Sequence, residues 1–128
     1  MLKAWSPQLL SVLRIVVGFL YLLHGTQKLL AFPASASGAT VPLASRLGAA
    51  GVIEIVGGTL ILLGLFTHLA AFICSGEMAA AYFLAHAPRA PLPLQNSGEL
   101  PVLFCFIFLY LAAAGPGPWS VDAVRKAA

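Results

Sequence analysis

Residues 19–30 read FLYLLHGTQKLL, an apolar run with His24 and Lys28 four positions apart near its end. Extended back to Gln8, the segment reaches the length of about 20 residues that a helix needs to cross the hydrocarbon core. A charged or titratable side chain inside such a helix is costly, by roughly 2.5–3.5 kcal/mol on insertion scales, and is therefore expected to face the protein interior and find a partner there. What answers His24 and Lys28 must come from the rest of the chain.

Composition says that this solvent is lipid. Of 128 residues, 60% are hydrophobic and 9% charged, with a mean hydropathy of +0.95. Soluble domains carry roughly 25% charged residues. A chain this short leaves too much of itself on the surface to hide the excess apolar area in one core. The seven basic residues, which give a net charge of +3, are scattered and form no run, so nucleic-acid binding is not expected. Cys74 and Cys105 lie in different apolar segments without a C-x-x-C spacing, and buried cysteine behaves as a small hydrophobe.

Four apolar segments follow one another, at about 8–30, 44–65, 67–85 and 98–114. Pro7 suits the start of the first, and Pro33 with the uncharged A-S-A-S-G-A-T stretch ends it. Only Gly64-Leu65-Phe66-Thr67 separates the second from the third, so these two form a hairpin. The segment 86–97 (HAPRAPLPLQNS), with three prolines, reads as a surface loop, and Gly115-Pro116-Gly117-Pro118 stops the fourth. Glycines 48, 51, 57, 58 and 64 stud the second segment, where small residues let helices approach closely in lipid. The expected fold is all-α: a single integral membrane domain, a four-helix bundle whose neighbouring spans are antiparallel. Trp5, Tyr110 and Trp119 suit positions near the membrane–water interface, and Arg14 tips a nearly even distribution of basic residues toward cytoplasmic termini. Lys3 and Arg14, the apolar run 15–23 and Ala34-Ser35-Ala36 imitate a secretory signal. His24, Gln27 and Lys28 intervene before that cleavage-like site, and a retained first span is expected.

The titratable residues within these segments are Arg14, His24 and Lys28 in the first, Glu54 in the second and Glu77 in the third. Two basic side chains balance two acidic ones, as a paired interior requires. At 100° per residue, Arg14, Gly18, Tyr21, Gly25 and Lys28 share one stripe of the first helix, with His24 beside it. Counted from the outer helix ends at ~1.5 Å per residue, His24 lies about 9 Å deep, Glu54 about 15 Å and Glu77 about 12 Å, a common layer that Lys28 can reach from above. The expected polar pocket comprises His24, Lys28, Glu54, Glu77, Tyr21 and Arg14, with Arg14 toward the opposite face, where it pairs separately or snorkels. Two readings stand side by side: a ligand-binding or proton-handling pocket, and an ion-pair network that fixes helix register. His68 and His86 are 18 residues apart, about 27 Å along a helix, too far to hold one metal. No metal-site spacing is present, and a haem held by His24 and a second histidine is disfavoured.

Several stretches together resemble the DoxX family of small bacterial membrane proteins: 13–28 (LRIVVGFLYLLHGTQK), 51–64 (GVIEIVGGTLILLG), 76–86 (GEMAAAYFLAH), 96–99 (NSGE), 105–111 (CFIFLYL) and 115–122 (GPGPWSVD). H-G-x-x-K and E-x-x-G-G arrive in order, and the one departure is Ser97, where a second glycine is expected. The resemblance implies a four-helix membrane fold in the bacterial inner membrane and an association with redox chemistry, through subunits of quinone-linked or sulfur-compound-linked oxidoreductases. It adds Asn96 and Glu99 as secondary polar positions, beside His86, which its place at the outer end of the third segment brings toward Lys28 and the following loop. The expected function is an oxidoreductase subunit whose pocket takes a quinone head or a sulfur compound, with the bilayer and redox-enzyme subunits as partners. The cofactor is not specified, and a homo-oligomer is left open. A non-catalytic anchor for soluble redox-stress enzymes and a small transporter are the competing functions.

Overall fold

The computed structural model describes residues 1–127, and among these there is no β-strand. A 3₁₀ turn over Leu2–Trp5 leads into α1 (Ser6–Leu30), with Pro7 in its first turn. A loop without regular structure leads to α2 (Arg46–Leu63), whose N-terminus is capped by the Ser45 hydroxyl, which accepts from the Gly48 N–H at 3.0 Å. Gly64 ends α2 at φ 70°, with Leu65 N–H donating to Leu60 O and Gly64 N–H to Ile61 O, the left-handed cap that glycine adopts without strain. After that tight turn, α3 (Thr67–Ala81) begins, and it loosens into one π-helical turn over Tyr82–His86. A short α4 (Pro93–Asn96) precedes α5 (Glu99–Ala114), and α6 (Val121–Ala127) follows the Gly-Pro-Gly-Pro break.

Three helical stretches are long and apolar enough to cross a membrane, Leu2–Leu30, Arg46–Leu63 and Thr67–His86; α5 is apolar but has 16 residues. The distribution of side chains fits a lipid solvent. Phe19, Leu69, Phe72, Phe83, Leu103 and Phe106 point outward, while Ser11, Arg14, Glu54, Thr67 and Ser75 are buried. In water such an exposed apolar surface is an aggregation liability; in lipid it is the solvated face.

The helices pack as two close pairs, α1 along α2 and α3 along α5, with α2 meeting α3 beyond their shared turn. Glycine makes the first pair close. A Cβ on Gly25 would stand 2.8 Å from both Gly51 O and Ile55 N, so backbone lies against backbone there. Between the pairs lies an aromatic core. Tyr21, fully buried, meets the edges of Phe104 and Phe108 with ring centres 5.7 and 4.8 Å away.

The chain doubles back so that one end of the molecule gathers the start of α1, the end of α2, the start of α3 and the residues after α5. Trp119 N–H donates to Ser11 Oγ at 3.1 Å, and Asp122 N–H to Gly64 O at 2.9 Å. The opposite end holds Lys28, the start of α2, the π turn and the start of α5.

Candidate functional site: a charged wall in an apolar cavity

At that opposite end α1, α2, α3 and α5 enclose a cavity of ≈ 830 Å³. Its walls are chiefly apolar (Ile53, Ile73, Met78, Leu84, Leu100 and Phe104 among them), and His24, Lys28, Glu54 and Glu77 supply the interior polar groups. Lys28 Nζ donates to both carboxylate oxygens of Glu54 at 2.7 Å. Glu54 is 1% exposed and Lys28 25%, so the lysine spans from the buried carboxylate to the cavity. Tyr21, behind the cavity wall, donates its O–H to Glu77 Oε2 at 3.0 Å. Glu77 neighbours Glu54 on the same cavity wall, and the Cys74 sulfur lies against Gly57 of α2. The His24 ring meets Phe104 edge-on, centre to centre 5.8 Å.

This meeting of side chains follows from local helix geometry. Tyr21, His24, Gly25 and Lys28 fall at i, i+3, i+4 and i+7 on α1 and so share a face. Gly25, in the middle, brings α2 close enough for the Lys28 stem to reach Glu54. On α3, Cys74 and Glu77 share a face three residues apart, and Gly57 of α2 leaves room for the Cys74 sulfur.

The cavity mouth is framed by the loop after the π turn. The Asn96 side chain, 1% exposed, donates to Tyr82 Oη at 3.2 Å and Ala90 O at 3.0 Å, and accepts from Gly98 N–H at 2.9 Å. His86 lines the cavity, and its Nδ1 lies 3.0 Å from Asn96 O; since a carbonyl only accepts, Nδ1 carries the proton in this contact. Tyr82 stacks on His86 at 6.5 Å. Asn96 therefore supports the mouth without lining it, while Glu99 is exposed in the first turn of α5 and lines no part of the cavity.

Arg14 corrects the expected pocket. It is 1% exposed but sits at the other end of the molecule, away from the cavity. Its guanidinium donates to Pro116 O and, at 2.7 Å, to Trp119 O. Neither Glu54 nor Glu77 answers it. The carbonyls do so because the Gly-Pro-Gly-Pro segment turns back over the bundle and points two of them at the buried cation. Asp122 ties the same segment down, its carboxylate accepting from Phe66 N–H at 2.9 Å and Thr67 N–H at 3.0 Å at the start of α3. Partial burial pushes that carboxyl up, but the two N–H groups outweigh it and hold the group below the usual carboxylate range. His68, exposed beside the same turn, places Nδ1 2.7 Å from Ala112 O.

Residue pattern alone missed three contributors. Arg46, exposed at the rim, reads in sequence as a membrane anchor; Phe104 is one phenylalanine in an unbroken apolar run; Tyr82 gives no polar signal. Only Arg46, the first residue of α2, carried a readable cue. Among the described residues, no group of three or more His, Cys, Asp or Glu side chains is placed to hold a metal ion.

The DoxX family model matches residues 9–87, from the first turns of α1 past the π turn. The chain belongs to the DoxX family. The match takes in His24, Lys28, Glu54, Glu77 and His86, and stops short of the α5 wall. The chain is similar to an uncharacterized protein of Haemophilus influenzae, 47% identical over 125 residues, covering 94% of this chain and 93% of that one. It is also similar to an uncharacterized membrane protein of Mycobacterium tuberculosis, 31% identical over 138 residues, covering 95% and 84%. No solved structure gives a significant match.

Proposed function

We propose that this DoxX protein is a subunit of an oxidoreductase in the bacterial inner membrane and that its cavity binds the head of a quinone-type amphiphile. In this reading the chain is one domain of four antiparallel spans with cytoplasmic termini, α5 being the fourth. At 16 residues and ~1.5 Å each, α5 covers about 24 Å, a shortfall that local bilayer thinning accommodates.

The observation that carries the reading is a charged pair on the wall of an otherwise apolar cavity. Ligand sites combine apolar walls with a few convergent polar groups, in volumes of about 300–1,000 Å³; this one has ≈ 830 Å³ and the Lys28–Glu54 pair. A ring with two carbonyls fits such a lining. The third N–H of Lys28 and a ring N–H of His24 can donate to it, and Phe104 offers an aromatic edge. Electrons pass between the ligand and a partner subunit's redox centre.

Purified protein in nanodiscs, titrated with a radiolabelled short-chain ubiquinone analogue against protein-free nanodiscs in equilibrium dialysis, tests the reading. The wild type is expected to bind saturably. The Lys28→Met/Glu54→Leu double variant and His24→Phe are each expected to weaken binding about tenfold, the equivalent of ~1.4 kcal/mol. No saturable binding by the wild type overturns the proposal.

A further inference from the structure

The charges inside the cavity do not balance once Arg14 is removed from the count. Glu54, buried, and Glu77, half-buried, share the cavity wall with a single lysine, so two ionised carboxylates would leave one uncompensated negative charge in a chiefly apolar lining, which is unfavourable. Glu77 is faced from α1 by Tyr21, His24 and Lys28, from α2 by Glu54, and from α5 by the uncharged Phe104; Cys74 and His86 lie on its own helical stretch. Arg46 is exposed at the rim, where solvent and salt screen it. His24 as the missing cation would stand beside Lys28, and like charges oppose each other.

We propose that the cavity stores one proton, on Glu77, in a continuous run Tyr21–Glu77–Glu54–Lys28, and that its ligand is accordingly a neutral, proton-accepting head group rather than an anion. The hydrogen bonds along the run are all complementary. The Tyr21 O–H donates to Glu77 Oε2 and Lys28 donates to both Glu54 oxygens; with the proton on Glu77, its O–H has the neighbouring Glu54 carboxylate as acceptor. The ion pair keeps Glu54 ionised and leaves Glu77 as the proton bearer, an acid on the cavity wall beside any bound ligand. The stored proton follows from charge and geometry alone, whereas the preference for a neutral ligand rests on the cavity being the ligand site.

Infrared spectroscopy of the reconstituted protein reads the proton directly. The chain has only four aspartate and glutamate side chains, and two of them lie outside the cavity, Glu99 exposed and Asp122 capped by N–H groups. A carboxylic-acid C=O band that shifts in D₂O is expected in the wild type. It should vanish in Glu77→Gln and roughly double in Lys28→Met, where both carboxyls need a proton. Absence of the band in the wild type, or its survival in Glu77→Gln, overturns the proposal; the Lys28→Met arm still decides it if Glu77→Gln fails to fold. In the binding assay, thiosulfate should fail to displace the quinone analogue, and displacement overturns the ligand-class half. Failure of the quinone to bind at all refutes the ligand site and leaves the infrared result to judge the proton.

Discussion

Arg14 and Lys28 lie on the same stripe of α1, 14 residues apart, and the two ends of the molecule treat them in opposite ways. Arg14 is shut in: two carbonyls of the folded-back loop receive its guanidinium, and Asp122 pins that loop to the start of α3. Lys28 is paired with a carboxylate and left facing a cavity. Neutral carbonyls satisfy a cation's hydrogen bonds without adding a titratable group, which suits a closure. A carboxylate pair adds an acid that can exchange protons with a neighbour, which suits a site. The contrast sets a cation closed in by backbone carbonyls against one paired beside a cavity, although both lie on one helix.

The largest expected effect breaks the closed end. Arg14→Ala removes two charge-assisted hydrogen bonds and strands two carbonyls, and should cost about 3 kcal/mol, seen as a large drop in melting temperature in detergent with ligand affinity retained in the folded fraction. Lys restores only part, because a point charge does not reach two divergent carbonyls as a planar fork does.

At the open end, Lys28→Met alone should cost roughly 2 kcal/mol, less than a fixed buried charge would, because Glu54 can take up a proton instead. Adding Glu54→Leu should bring stability back to within about 1 kcal/mol of wild type while ligand binding stays weakened. A double variant as unstable as the single one would mean that the pair holds the fold rather than serving the cavity.

Gly25→Ala probes the seam that joins the two ends. The new methyl would meet the backbone of Gly51 and Ile55 at 2.8 Å, forcing α1 from α2 at a cost of about 1.5 kcal/mol. Crosslinking between cysteines placed on the two helices would report the widened spacing.

The smallest effect is expected at Asp122. Asp122→Asn should cost about 1 kcal/mol, as the loss of a helix cap does. Because the folded-state carboxyl titrates below its unfolded value of about 3.9, its contribution is full above that value and fades as pH falls through the lower, folded-state one. A melting curve for wild type and Asp122→Asn between neutral and acid pH should therefore converge at the acid end.

Much of the helical framework was legible. Pro7, Gly64 and the Gly-Pro-Gly-Pro run mark helix ends by local backbone chemistry, and a 3.6-residue period places Tyr21, Gly25 and Lys28 on one face whatever they touch. The π turn at Tyr82–His86 gave no signal in the residue pattern, and the cap from Asp122 was not legible because its partners, Phe66 and Thr67, are remote in sequence. The count of two bases against two acids balanced Arg14 and Lys28 against Glu54 and Glu77 in formal charge, with Arg14 expected toward the opposite face. The structure instead spends backbone carbonyls on one base and leaves two acids for the other.

Sequence alone determined that the solvent is lipid, that the four apolar segments are helical, and that His24, Lys28, Glu54 and Glu77 are candidates for one polar layer; the short α4 within the expected loop 86–97 and α6 after the Gly-Pro-Gly-Pro break were not read from it. What it determined follows from composition and from period, which act locally along the chain. Tertiary structure alone decided which charge meets which partner and where space remains. Those outcomes depend on how far one helix slides and turns against its neighbour, and here backbone contact at Gly25 and Gly51 sets that relation. At FLYLLHGTQKLL, period could place histidine and lysine on an inward face, but only packing could give the lysine a carboxylate and the histidine an open cavity.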